Sequence, residues 1–141
     1  LLAVADLGAF LAGVWQLRRL ILDARARQTG RAVGEAIFLP VSDGLRYSEN
    51  GLLNFGGYRG AFSRTYEYRL SHLRREARVF FGDGRFFHHL DLTKGQMAVN
   101  HGCPPDRYRG RYRALDINTL IITWSIQGPR KSVALTSMLT R

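Results

Sequence analysis

Two histidines stand side by side in the segment Gly82-Asp83-Gly84-Arg85-Phe86-Phe87-His88-His89-Leu90-Asp91-Leu92, and His101 follows on the next patterned stretch. Imidazole changes charge nearest to neutral pH, and it serves as a general acid/base or as a metal ligand. Which role is open depends on where each ring points. In a β-strand side chains alternate between faces, so His88 shares a face with Phe86, Leu90 and Leu92, and His89 with Phe87 and Asp91. The face with two leucines is the better core face. His88 is therefore expected to point inward and His89 outward. His101 follows the inward phase of Met97, Val99 and Cys103. Beside Glu49, Asp106 or a tyrosine, His88 or His101 would have the partner that acid/base work needs. Two imidazoles with Cys103 or Asp106 have the atom types of a transition-metal site. The spacing matches no established ligand motif, so no metal is expected. Haem ligation by one inward histidine has no further support, and no cofactor is expected.

The hydrophobic pattern predicts the scaffold for these groups. A short helix of one or two turns is expected over residues 4–12, with Asp6 as its N-cap. From Gly13 the pattern has period 2 almost to residue 141. The inward sets include Trp15, Leu17, Arg19 and Ile21, then Leu45, Tyr47, Glu49 and Gly51. Phe62, Arg64, Tyr66, Tyr68 and Leu70 form another, as do Leu120, Ile122, Trp124 and Ile126. Asp83-Gly84 is a hairpin signal, and Pro104-Pro105 must break a strand. In 106–113 Asp106, Tyr108, Gly110 and Tyr112 take one face while Arg107, Arg109, Arg111 and Arg113 take the other. These nine or ten strands at hairpin spacing leave no room for helical crossovers. A single all-β, antiparallel up-and-down barrel disposes of the sheet edges most simply, with a two-sheet sandwich as the alternative.

Following the inward phase gives an interior unlike an ordinary core. It collects Arg19, Glu49, Arg64, Tyr66, Tyr68, His101, Asp106, Tyr108, Tyr112 and Lys131. Buried charges cost several kcal/mol (order of magnitude) unless paired. Two readings remain open. The groups satisfy one another, for instance Arg19 with Glu49 and Arg64 with Asp106 or tyrosine hydroxyls. Alternatively they line a cavity for a small ligand, whose carboxylate an arginine fork would grip.

The chain has 141 residues, read as one domain over 1–141, with 45% apolar and 23% charged residues. Its 21 Lys+Arg against 11 Asp+Glu give a formal charge of +10, which favours anionic partners. The arginine stripe of 107–113 lacks interleaved exposed aromatics, so it is expected to be a solvated face, and nucleic acid is not expected as a partner. Cys103 is the only cysteine, so no internal disulfide forms, and it reads as a small buried side chain rather than a nucleophile. Residues 1–17 contain Asp6 and Gly8 and have no basic leader, so neither a signal peptide nor a membrane span is expected. The chain does not begin with methionine, so further residues upstream are allowed for. The expected setting is cytoplasmic, as monomer or homodimer, without a membrane partner.

The motif Gly13-Val14-Trp15 resembles the Gly-x-Trp opening strand of lipocalins and other calycin barrels. That resemblance implies a short helix before the strand. It also implies that Trp15 closes one barrel end against a basic residue, for which Arg130, Lys131 and Arg141 are available. A longer resemblance rests on Gly13-x-Trp15-x-Leu17-x-Arg19, Tyr47-x-Glu49-x-Gly51, Phe81-x-Asp83-Gly84-Arg85-x-Phe87-His88, His101-x-Cys103-x-x-Asp106-x-Tyr108 and Trp124-x-x-x-Gly128-Pro129-Arg130-Lys131. Together they resemble the bacterial and fungal family called domain of unknown function 6314 (DUF6314). It implies the fold and supplies no reaction. The preferred function is binding of a small, partly apolar ligand with an anionic or polar head. The expected lining is Trp15, Arg19, Glu49, Arg64, Tyr66, Tyr68, His88, His101, Tyr108, Tyr112, Trp124 and Lys131. One alternative is a lyase, isomerase or cyclase with His88 or His101 as acid/base, assisted by Glu49 or Asp106. Another is an interaction module whose basic surface docks an acidic partner.

Overall fold

The alternation seen in the sequence becomes ten antiparallel strands in a computed structural model that describes residues 1–141. They are β1 (Gly13–Asp23), β2 (Gln28–Val41), β3 (Gly44–Phe55), β4 (Tyr58–Leu70), β5 (Glu76–Phe81), β6 (Phe86–Asp91), β7 (Gln96–Cys103), β8 (Asp106–Asp116), β9 (Thr119–Gln127) and β10 (Ser132–Thr140). The sheet order is β6-β5-β4-β3-β2-β1-β10-β9-β8-β7. Because β1 pairs with both β2 and β10, the sheet curls into a barrel whose one seam lies between β6 and β7. No helix is long and apolar enough to cross a membrane.

Side chains bridge that seam where the backbone ladder is missing. The Nδ1–H of His101 on β7 donates to the Phe87 carbonyl on β6 at 3.1 Å. The backbone N–H of Asp91 on β6 donates to the Met97 sulfur on β7 at 3.1 Å. A carbonyl can only accept, so this contact also fixes the tautomer of His101.

One end of the barrel is plugged. Helix α1 (Leu7–Leu11) is shorter than the expected 4–12, and its N-cap is Asp6, which accepts from the Ala9 N–H. The helix starts only at Leu7 because Asp6 takes the extended backbone of an N-cap. Before it, the Leu2 N–H bonds the Ala114 carbonyl and the Val4 N–H that of Leu92. Val4, Leu7, Phe10 and Leu11 are buried over Trp15, whose indole N–H donates to the Leu11 carbonyl at 2.8 Å. Of the three basic residues available for Trp15, Arg141 lies over the ring, its guanidinium 3.9 Å from the centroid. That guanidinium also donates to the Ile117 carbonyl at 2.7 Å.

On the β2–β3 wall Gly34 pairs directly with Gly51, and the two backbones leave no room for a side chain at either. A Cβ on Gly34 would stand 2.0 Å from the Asn50 carbonyl oxygen, and one on Gly51 2.0 Å from that of Val33. Both obstacles are backbone, so no rotamer relieves them. Gly34→Val is expected to lower stability by about 1–3 kcal/mol or more in urea unfolding, the cost of overpacking. Gly57→Ala, where a Cβ meets nothing within 4 Å, is the matched control and should change little.

Candidate functional site

Two polar layers lie above the plug. In the first, Arg19 of β1 and Glu49 of β3 point inward because they continue the phase of Trp15, Leu17, Leu45 and Tyr47. Their side chains meet as a fork on a fork, Nη1 to Oε1 at 2.7 Å and Nη2 to Oε2 at 3.0 Å. Arg19 Nε donates to the Ser137 hydroxyl of β10 at 2.7 Å, and the Tyr47 hydroxyl donates to Glu49 Oε2. Glu49 is 1% exposed. Burial alone would raise its carboxyl, but the hydrogen bonds and charge of Arg19, the Tyr47 hydroxyl and the charge of Arg64 together hold it below the usual range. Burial would likewise discharge Arg19, and Glu49 outweighs it. The mutually satisfied pair is thus the reading the structure bears out for Arg19 and Glu49. No buried side-chain nitrogen or oxygen lacks a partner.

The second layer holds His88, Tyr112 and Tyr68. His88 is 3% exposed. Its Nδ1–H donates to its neighbour's carbonyl, His89 O, at 2.8 Å, so Nε2 accepts from the Tyr112 hydroxyl at 3.2 Å. Burial pushes His88 down to about 4, against the opposing effect of the His89 carbonyl and with help from the charges of His101 and His89. It is a neutral ring near pH 7. Burial also raises the Tyr68 and Tyr112 hydroxyls, keeping both protonated.

His88 points in and His89 out, as the sequence implied, but the phenylalanines beside them are exchanged. Phe87 is buried and Phe86 exposed, the reverse of the expected phase. The reason is a β-bulge: Val79 pairs with His88 while Phe80 pairs with Phe86, so Phe87 is an extra residue on β6. Phe87 thereby joins a column of parallel rings, 4.9 Å and 16° from Trp124 and 4.2 Å and 20° from Phe81. Trp124 lies against Gly110, where a Cβ would come within 2.7 Å of the indole. This column ties β5 and β6 to β9 behind the seam.

Between the polar layers only about 20 Å³ remains, room for one water. A larger hollow of about 300 Å³ opens at the mouth, lined by Arg64, Thr65, Tyr66, Phe81, Phe87, Tyr108, Trp124, Ile126 and Leu135. Arg64 is its one charged wall residue, 42% exposed, with Nε 3.7 Å from Glu49 Oε1 and Nη1 3.4 Å from the Tyr66 hydroxyl.

The expected lining residues therefore separate. Tyr108 lines only the mouth, and Arg19, Glu49, Tyr68 and Tyr112 line only the small inner hollow; Arg64, Tyr66 and Trp124 stand between the two and line both. His88 is buried among the aromatic rings, and His101 packs edge-on to Phe81 and Phe87 with its Nε2 without a protein partner. Three expectations need correction. Trp15 is wholly buried at the plugged end and lines no cavity. Lys131 is 54% exposed on the rim, 3.3 Å from Asp106, because the Gly128-Pro129 turn carries it outside the wall. Asp106, so occupied, meets neither a histidine nor Arg64. No three His, Cys, Asp or Glu side chains converge as a metal site. Sequence reasoning missed Tyr47, Ser137 and Leu135 as lining residues, though all lie on the inward phase, and missed Phe87 because nothing in the alternation marks the bulge.

A family model described as "Family of unknown function (DUF6314)" matches residues 11–141. The chain belongs to this family. No curated protein matches the DUF6314 chain. Among solved structures, it is similar to an S-type phycobiliprotein lyase from Guillardia theta at 9% identity, covering 94% of this chain and 89% of that one with a TM-score of 0.66. It is also similar to a redesigned β-barrel at 15% identity, covering 99% and 98% with a TM-score of 0.50. A further redesigned barrel, mFAP1 bound to DFHBI, matches at 12% identity over 96% and 99% with a TM-score of 0.47. At such identities the likeness is one of fold.

Glu49→Gln is expected to cost about 3–5 kcal/mol, because it strands the buried Arg19 charge. The double change Arg19→Met with Glu49→Leu should recover most of that loss, a contrast that urea unfolding resolves. Acid should also act through His88. An unfolded histidine titrates near 6.5, so between roughly pH 6.5 and 4 the unfolded chain binds more protons and stability falls with pH. The loss from pH 7 to 4 is about 3 kcal/mol, and further acid then protonates Glu49 and removes its contribution. His88→Gln should flatten the first window and leave the second.

Proposed function

We propose that the DUF6314 barrel binds a small, partly apolar molecule in its mouth and that Arg64 receives the molecule's anionic head. The observation that carries this is the charge balance of the interior. Glu49 is already neutralised by the fork of Arg19, so the guanidinium of Arg64 is surplus positive charge at the edge of an aromatic hollow. An anion there gains a charge-assisted hydrogen bond next to low-dielectric walls. Tyr66 and Tyr108 supply hydroxyls, while Phe81, Phe87, Trp124, Ile126 and Leu135 supply apolar surface. A volume of about 300 Å³ is at the small end of ligand sites. The net charge of +10 favours the approach of anions from a distance.

The fold shared with the phycobiliprotein lyase is compatible with this reading, which rests on the geometry of the mouth and not on that enzyme's activity. The test is a pair of probes that differ by one sulfonate, 8-anilinonaphthalene-1-sulfonate and uncharged N-phenyl-1-naphthylamine. The anion should bind about tenfold tighter than the neutral probe, with quenching of Trp124. Arg64→Gln should erase that preference and leave the neutral probe unchanged. Equal affinity for both probes in the native protein, or no binding of either, would remove the proposal.

A further inference from the structure

The outer wall behind the mouth presents a different kind of order. Arg107, Arg109, Arg111 and Arg113 project from β8 into solvent, each exposed, while the tyrosines between them point inward. The strand is in unbroken register with β7 and with β9 over this stretch, so the four stand on a regular, doubly hydrogen-bonded ladder. No carboxylate lies within 4.0 Å of any of the four guanidinium groups. Arg111 donates to the side-chain oxygen of Gln96 at 3.2 Å. The outward neighbours on β7 and β9 are uncharged, with Asn100 and Ser125 opposite Arg109 and Gln127 opposite Arg107. At the mouth end the row runs into a shallow depression of about 490 Å³ between Arg107, Arg109, Ser125 and Gln127.

Four like charges at two-residue intervals repel one another, and no carboxylate in contact with them offsets that. We infer that this row docks an extended acidic polypeptide segment with carboxylates at alternate positions. The spacing carries the inference. Arginines two residues apart on a strand are about 6.8 Å apart, and so are the alternate side chains of any extended peptide. A peptide lying along β8 would set one carboxylate over each guanidinium fork, in the bidentate geometry that arginine favours. The right-handed twist of the row is matched by the same twist in an extended ligand, so the correspondence persists along all four positions. The face has no exposed aromatic ring on which a nucleic-acid base would stack.

The test uses the full chain and two fluorescein-labelled octapeptides of identical composition, four threonines and four glutamates. In one the glutamates alternate; in the other they are contiguous. Anisotropy titration at low salt should show the alternating peptide binding about tenfold tighter, an advantage that high salt removes. Replacing Arg107, Arg109, Arg111 and Arg113 by Gln should abolish the difference. Replacing exposed Arg25, Arg59, Arg75 and Arg130 by Gln removes the same charge and should preserve it. A version with lysine at the four stripe positions keeps charge and solubility but loses the fork, and should bind with little preference for spacing. Equal affinity for the two peptides, an equal loss in both glutamine variants, or tighter stripe-dependent binding of a 12-base-pair RNA duplex would overturn the inference. None of these outcomes depends on the mouth.

Discussion

A single carboxylate at the centre of the barrel sets the terms for everything around it. Glu49 is ionised and shut away from bulk solvent, a state that survives only with a guanidinium held in place beside it. That requirement fixes Arg19 on β1, and Arg19 in turn engages Ser137 on β10, so three strands are tied at one level. Tyr47 donates the remaining hydrogen bond from the same strand as Glu49. With this layer filled, little empty volume is left between the plug and the mouth. The interior space open to solvent is therefore confined to the mouth, where the guanidinium of Arg64 stands beside a carboxylate already paired with Arg19.

The seam imposes the second constraint. A barrel of ten strands that lacks its last ladder must hold two edges together by other means. Here the means are an imidazole, a thioether and a column of parallel rings. Phe87 can take part because one additional residue in β6 turns it inward, next to His88. The bulge thus puts two consecutive side chains into the interior, which a regular strand cannot do.

Much of this was legible from alternation. The tyrosine and arginine faces of β8, the inward Arg19 and Glu49, and the divergence of His88 from His89 follow from a period of two in strands wetted on one side. The limits were equally physical. Alternation presumes an unbroken pleat, so the bulge inverted Phe86 and Phe87. It says which face a residue takes and nothing about height along the barrel, so Trp15 at the plug was grouped with residues above it. Nor does it hold through a turn, so Lys131, outside the wall, was grouped with them too. It also cannot tell a filled polar layer from an empty one. That distinction needed the 2.7 Å contact between Arg19 and Glu49.

The pairing of β1 with β10 has a consequence for how the chain reaches this state. The first strand lies edge-on to the last, and Arg19 and Ser137 are 118 positions apart. Hairpins β2–β3 and β3–β4 form from neighbouring residues, whereas β1 gains its second partner only when β10 arrives. Until then a strand bearing Trp15 and an unpaired Arg19 has one open edge and no complete interior to enter. Such long-range closure is slow by nature, since loop entropy is lost before any contact repays it. The β1–β10 pairing is thus the contact whose closure spans most of the chain.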